Sequence, residues 1–327
     1  MATRTVIEAI REAMDEEMAR DPSVFLIGED VGQRGGVFLA SDGLFKKYGE
    51  YRVIDSPLAE SLIVGVAIGA AVNGMRPIVE IQFADFIAPA FNQIVEEAAR
   101  FCYRSAGDFN LPIVIRTPYG GGVHGALYHS QSIEATYGHI PGLKVVAPSN
   151  PADAKGLLKA AIRDPDPVLY LEHKRSYRLI RGEVPGNDGV VPIGKAEVKR
   201  EGTHLSLIAY GLMLHYCLEV AEKLATEGVS AEVLDLRTIK PMDEAAVIAT
   251  TKKTGKVLVV HEDNRFAGIA AEVMAVIMEN AFDSLDAPVM RLTGPDVPAM
   301  PFNHVLEEAF LPNPERILAK AKELAAY

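Results

Sequence analysis

The sequence contains no apolar run able to span a bilayer. Its most hydrophobic stretch, Leu62 to Val72, falls well short of the roughly 20 residues required. It lacks any basic cluster, and 33 Lys and Arg against 44 Asp and Glu leave a net charge of −11. That balance argues against nucleic acid and anionic membrane surfaces as partners. Cysteine is scarce: Cys102 and Cys217 lie far apart and form no C-x-x-C, the usage expected in a reducing cytoplasm. Familiar catalytic signatures are missing as well. There is no G-x-S-x-G elbow, no Walker A loop, no H-E-x-x-H and no G-x-G-x-x-G after the first strand. Hydrolase, nucleotidase and metalloprotease readings are correspondingly weak. The opening segment, "MATRTVIEAIREAMDEEMARDP", carries acids and apolar residues at helical spacing (Val6, Ile10, Met14, Met18). A first helix is expected there rather than a signal peptide, and a cytoplasmic location for the chain.

What is present is an alternation of strands and helices. A chain of 327 residues and 35.4 kDa predicts two domains of about 150 residues. Hydrophobic content of 49% with 24% charged residues supplies a sizeable core. Short β-branched runs at "SVFLIGED", "YRVID", "RPIVEIQFADF", "LPIVIRTPYGGG", "KVVAPS" and "PVLYLE" read as strands. Pro57 opens the apolar helix that follows the second, and "APAFNQIVEEAARFCYR" reads as a helix after the third. Asn150 is the expected N-cap of "NPADAKGLLKAAIRD". Gly, Pro and Asp crowd "RGEVPGNDGVV" (Arg181–Val191), the best linker candidate. Beyond it "HLSLIAYG", "SAEVLDL", "KVLVVHED" and "VMRLTG" form a second series of strands. The expected fold class is α/β, with two doubly wound domains of mainly parallel sheet, residues 1–185 and 186–327.

Open parallel sheets place their ligand sites outside the carboxyl ends of the strands. In the first domain those ends carry Glu29 and Asp30, then Asp55 and Glu60, then Gln82, Asp85 and Phe86. The fourth runs into "TPYGGGVHGALYHSQS", with His124 and His129. Taken singly, each has a bland reading. Glu29 and Asp30 could cap backbone N–H groups, the histidines could be surface residues, and Phe86 could be core. Gly65 and Gly69, spaced G-x-x-x-G, are expected to let the helix pack closely on its neighbours. Glu60 is harder to dismiss. An acid at a helix N-terminus is favoured by about 0.3–1 kcal/mol, yet Leu58, Ile63 and Val64 around it predict desolvation and a raised pKa. No Arg or Lys stands nearby in sequence, so a ligand is the natural partner.

The run "VIDSPLAESLIVGVAIGAAVNGMRPIVEIQFADF", with "YHSQSIEATYGHIPGLKVVAPSNPADAKGLLKAAIRDPDPVLYLE", closely resembles the beta subunit of the decarboxylating component of 2-oxo acid dehydrogenase complexes. The likeness extends from "GEDVGQRGGVF" through "AEVLDLRTIKP" to the C-terminal helices. It implies a pyrimidine-binding domain followed by a transketolase C-terminal-like domain. It also implies thiamine diphosphate held between an alpha and a beta chain of an alpha2-beta2 heterotetramer. Magnesium and the diphosphate belong to the alpha chain's G-D-G motif. This sequence has no G-D-G, and "NDG" at Asn187–Gly189 lacks the downstream asparagine.

By the resemblance, Glu60 matches the acid that hydrogen-bonds the pyrimidine ring nitrogen. Glu29, Leu58, Ala59 and Gln82 line the cofactor pocket, and Phe86 packs on the ring with Ile87, Ala88 and Pro89 beside it. His129 matches the histidine that assists acyl transfer to the lipoyl group, with His139 a second candidate. Ile113, Ala161, Ile162, Asp164 and Asp166 map onto a monovalent-cation (potassium) site, although relatives often carry Asn where Asp166 stands. A lipoyl-bearing acyltransferase core is the further partner. "FADF" and "ALYHSQSIEA" look more like branched-chain than pyruvate enzymes; a pyruvate or acetoin dehydrogenase beta subunit is the alternative. Two readings from other classes compete. One is a scaffold that lost its chemistry, which the presence of Glu60 and His129 disfavours. The other is a transketolase-like enzyme, which usually carries the diphosphate-binding half in the same chain.

Overall fold

The computed structural model describes residues 1–186 and 188–327. Asn187, the first residue of the "NDG" and one residue of the expected linker, lies outside the described residues. The chain forms two compact units, Met1–Tyr119 with Thr136–Ile193, and Gly120–Ala135 with Gly194–Tyr327. The expected single cut after residue 185 differs from this division in two ways. The boundary falls at Ile193/Gly194, and the glycine-rich segment 120–135 joins the second unit. The cause is hydrogen bonding: carboxylates of that unit hold the segment's backbone, as described below.

In chain order the elements up to that boundary are β1 (Ala2–Thr5), α1 (Val6–Arg20), β2 (Val24–Gly28), α2 (Leu44–Tyr48), β3 (Val53–Asp55), α3 (Glu60–Val72), β4 (Arg76–Glu80) and α4 (Phe101–Arg104). There follow β5 (Val114–Tyr119), α5 (Glu134–Gly138), β6 (Lys144–Val146), α6 (Pro151–Arg163), β7 (Val168–His173), α7 (Ser176–Leu179) and β8 (Arg181–Val184). Six strands of the first unit lie in the order β6-β7-β5-β4-β2-β3, every neighbouring pair parallel. Local chemistry starts the helices that pack on it. Thr5 and Glu8 form a capping box at α1, and the Asn150 side chain accepts from Asp153 N at α6 (3.0 Å). Val6, Ile10, Met14 and Met18 of α1, with Leu157, Leu158 and Ile162 of α6, bury against Val24, Leu26, Ile78, Val114 and Val168 of the sheet.

Three expectations are revised. The linker candidate begins with β8, which pairs antiparallel with β1. The helix expected after β4 is broken into a 3-10 turn (Ala88–Ala90), a π-helical turn (Gln93–Ala98) and α4. Helix α3 begins at Glu60 rather than at Pro57, because Ser56 N still donates to Gly28 O (2.8 Å) and keeps the chain extended past β3.

The second unit contains β9 (Glu197–Arg200), β10 (Leu205–Ala209), α8 (Leu212–Thr226), β11 (Ala231–Asp235), β12 (Thr238–Lys240), α9 (Glu244–Thr254) and β13 (Val257–Asn264). It ends with α10 (Ile269–Asn280), β14 (Met290–Gly294), α11 (His304–Phe310) and α12 (Pro314–Ala325). Its sheet runs β14-β13-β10-β11-β9, parallel except for β9. Among the described residues no helix is long and apolar enough to cross a membrane.

Candidate active site

In the first unit, β2 has β3 on one side and β4 on the other, so the chain reverses its direction of growth across the sheet between β2 and β4. A ligand crevice is expected outside the carboxyl ends of the strands at such a point. Glu29 follows β2, and Gln82 lies two residues beyond β4; its Nε2 reaches across to Glu29 O at 3.4 Å. Asp55, ending β3, accepts from Gly32 N at 2.6 Å and fixes the loop that leaves β2. Burial pushes the Glu29 carboxyl above its ordinary pKa, and the nearby Asp30 and Glu60 carboxylates push it the same way. Three acids therefore meet at one end of the sheet.

Glu60 is half-buried, and its carboxylate makes no hydrogen bond or ion pair among the described residues. The dry flank expected around it is only half present. Ile63 and Val64 are buried, but Leu58 is 72% exposed and Leu62 51% exposed. The helical repeat explains this, since only Ile63, Val64, Ala67 and Ala71 face inward from α3. Nor does the G-x-x-x-G pack closely against any of the described residues. A Cβ built at Gly65 or Gly69 would meet nothing within 4 Å. Leu62, Gly65, Val66 and Gly69 form an open apolar face.

The aromatic side of the crevice is half-buried Phe86, edge-on to Phe83 at 5.6 Å, which in turn meets Phe38 at 5.4 Å. Ile87 is buried in the core, whereas Ala88 and Pro89 are exposed. Ala59, half-buried, is the N-cap of α3 and offers no side-chain cap, which leaves the N-terminal amides of this helix without one.

Behind these strand ends lies a buried charge cluster that the sequence reading did not single out. Arg116 of β5 donates through Nε and Nη2 to the two Glu172 oxygens (2.7 and 3.0 Å) and through Nη1 to Glu80 (2.8 Å). Tyr177 OH donates to Glu172 at 2.5 Å. Burial opposes the guanidinium charge, but Glu172 and Glu80 override it and hold the proton more firmly. Burial still raises the Glu80 pKa, Arg116 offsetting it only in part. The available signal was Glu80, Arg116 and Glu172 set within or at the end of three mainly apolar strands.

The residues expected to hold a cation are already engaged. Lys144 Nζ donates to both Asp164 oxygens (2.7 and 2.8 Å) and to Asp166 (3.1 Å). Arg76 donates to Ile162 O (2.8 Å) and Asp164 O (3.3 Å). Ile113 O accepts from Val168 N (2.9 Å) and Ala161 O from Asp164 N (3.2 Å). Two fixed cations thus balance two carboxylates there. His139 is exposed and belongs to this unit.

His129 belongs to the second unit and is half-buried. Its segment is held at both ends. Gly121 N donates to Glu262 and Gly122 N to Glu307, each at 2.9 Å, and Ala135 N to Asp263 at 3.2 Å. Next to Ala135, buried Glu134 accepts from Tyr210 OH at 3.1 Å. Burial first, then Asp263, raises the Glu134 pKa, and burial raises that of Asp263. His261, stacked on Tyr210, is pushed down to about 4 by burial.

Comparison with known proteins matches residues 2–180 to the family described as "Transketolase, pyrimidine binding domain" and residues 194–317 to "Transketolase, C-terminal domain". The chain is 58% identical to the 2-oxoisovalerate dehydrogenase subunit beta of Bacillus subtilis (strain 168), over 327 residues and 100% of both chains. It is 48% identical, again over 100% of both, to the pyruvate dehydrogenase E1 component subunit beta of the same organism. Among solved structures it resembles "Split gene transketolase, inactive beta4 tetramer", with a TM-score of 0.80, 25% identity and 98% of each chain covered.

Proposed function

The chain belongs to the beta subunits of the thiamine-diphosphate-dependent 2-oxo acid dehydrogenases, and on that premise we propose that it decarboxylates a branched-chain 2-oxo acid and passes the acyl group to a lipoyl domain. The observation that carries the substrate reading is full-length identity of 58% to a 2-oxoisovalerate enzyme against 48% to a pyruvate enzyme. The residues at the first unit's strand ends fit the cofactor. Glu60 is a half-buried carboxylate without a hydrogen-bond or ion-pair partner among the described residues, at a sheet end that also presents Gln82 and a half-buried aromatic ring, Phe86.

When bound, thiamine diphosphate supplies a carbon nucleophile and an electron sink for loss of carbon dioxide. In this reading a Glu60 carboxylate oxygen shares a proton with the pyrimidine ring nitrogen. Burial first, then the nearby Asp30 and Glu60 carboxylates, favours the protonated form of Glu29, because like charges at one site resist joint ionisation. Glu29, Leu58, Ala59 and Gln82 line the pocket; Phe86, with Ile87, Ala88 and Pro89 in the turns after it, forms the ring's platform. His129 orients and protonates groups during acyl transfer, with the lipoyl disulfide as electron acceptor.

The partners in this reading are an alpha subunit, in an alpha2-beta2 heterotetramer, and the lipoyl-bearing acyltransferase core, all in the cytoplasm. The open face of α3 supports a second chain covering it, since exposed contiguous apolar surface on a helix marks an interaction site. Magnesium belongs to the alpha subunit. Potassium would be structural only, sharing Ile113, Ala161, Ile162, Asp164 and Asp166 with Lys144 and Arg76.

The test is to co-purify the tagged chain with its partner and assay thiamine-diphosphate-dependent decarboxylation of 3-methyl-2-oxobutanoate beside pyruvate. The branched substrate is expected to be faster, and Glu60→Gln to assemble but lose about 10²-fold or more in rate. Preference for pyruvate would overturn the substrate assignment. Near-normal turnover by Glu60→Gln would remove the proton-sharing role.

A further inference from the structure

The segment 120–135 that carries His129 has an unusual backbone. Gly120 and Gly122 adopt φ of +86° and +79°, and two residues with side chains, His124 and Ala126, also sit at positive φ, 57° and 53°. Non-glycine residues in that region persist only where surrounding contacts over-determine them. Among the described residues, the polar contacts at His124 come from one side chain, while its ring also stacks on that of His304 with centroids 5.5 Å apart. Glu307 of α11 is only 2% exposed. Its Oε1 accepts from Gly122 N (2.9 Å) and His124 N (3.3 Å), and its Oε2 accepts from His124 Nδ1 at 2.6 Å. One buried carboxylate thus gathers the segment's backbone at two points and its first histidine.

The consequence reaches His129 through Gly125. A Cβ at Gly125 would lie 2.6 Å from His129 Cβ and 2.8 Å from His129 O, closer than such contacts occur. The turn set at His124 therefore closes directly onto the His129 backbone, with no side chain between. We propose that Glu307 is a positioning residue for His129: it fixes the left-handed turn at His124, and Gly125 transmits that turn to His129. His124 thereby acquires a role that is neither catalytic nor incidental. Its ring is the handle by which Glu307 holds the loop. The inference rests on the reading of His129 as the group that serves acyl transfer.

The experiment uses the enzyme assembled with its partner chain and measures two partial reactions. One is decarboxylation with an artificial electron acceptor; the other is reductive acylation of a free lipoyl domain. Displacing a catalytic group by about 1 Å can cost 10²-fold. Glu307→Ala is expected to lower lipoyl acylation by about tenfold or more, with decarboxylation falling less than about threefold. Glu307→Gln, which keeps an oxygen acceptor for the two N–H groups, should recover most of the transfer rate. Gly125→Ala removes no hydrogen bond but pushes on His129, and should reproduce the selective loss even if Glu307→Ala fails to assemble. Wild-type transfer in both Glu307→Ala and Gly125→Ala, or equal loss of the two partial reactions, overturns the proposal. His129→Ala separates the layers. If it leaves lipoyl acylation intact, the reading of His129 itself has failed; if it abolishes acylation while the other variants do not, only the positioning role has.

Discussion

Arg116→Met tests how the floor of the crevice is built. Glu80, Arg116 and Glu172 come from β4, β5 and β7, and their side chains are 5%, 1% and 0% exposed. The guanidinium makes three hydrogen bonds to carboxylates, and the Tyr177 hydroxyl also donates to Glu172. Methionine fills a similar volume but strands two buried carboxylates. Breaking a buried pair in this way costs about 3–5 kcal/mol, because the remaining charges stay desolvated. For a unit of this size each kcal/mol moves the melting temperature by roughly 2–4 °C, giving a drop of roughly 6–20 °C. The loss should depend on pH in a definite direction. Carboxyls whose folded pKa is raised above the unfolded value bind protons in the folded state. Their penalty is absent below the ordinary carboxyl range and grows as pH rises through the raised value. Glu80 is already raised by burial with Arg116 in place, and removing Arg116 raises it further. Melting followed by circular dichroism should therefore show a larger deficit near pH 8 than near about pH 5.5. Replacing all three residues by apolar ones (Arg116→Met, Glu80→Leu, Glu172→Met) should restore most of the stability, since the cost lies in unpaired charge rather than in lost attraction. A single Arg116→Met variant melting within about 2 °C of wild type near pH 8 would refute this reasoning, for it corresponds to less than about 1 kcal/mol.

A Cβ added at Gly65 meets nothing within 4 Å, and Gly65→Leu should raise helix stability by about 0.8–1 kcal/mol. Placed on the open face of α3, it is nevertheless expected to block assembly with the alpha chain. Size-exclusion chromatography of the mixed chains reads this directly, and normal heterotetramer formation would show that this face is not the contact. Lys144→Met removes the ammonium that balances Asp164 and Asp166 and should destabilise the chain by about 1.5–3 kcal/mol, the range for hydrogen bonds to charged groups. Titrated potassium should then recover part of the melting temperature in the variant and have a smaller effect on wild type. Equal potassium responses in the two would mean that Lys144 and the ion do not share a site.

The sequence by itself determined the elements whose causes lie within a turn or a strand. Asn150, Pro151 and Asp153 start α6 where their chemistry places it, and the apolar spacing from Val6 to Met18 gives the buried face of α1. The charged and polar residues that end β2, β3 and β4 were legible too, because strand ends announce themselves by the switch from apolar to polar. So was the family, carried by long motifs around Glu60 and His129. Tertiary structure alone decided what joins residues far apart in the chain. Arg116 finds partners 36 residues before and 56 residues after it, and Glu307 holds a segment more than 180 residues earlier. Helix α3 was legible as apolar, yet only its packing showed which half of it the chain covers. Even its first turn was decided at a distance, by the Gly28 carbonyl that keeps Ser56 in extended backbone. Local propensities act through neighbouring dihedrals. A buried carboxylate instead takes whichever donor the fold brings within 3 Å, and the chain order carries no record of that distance.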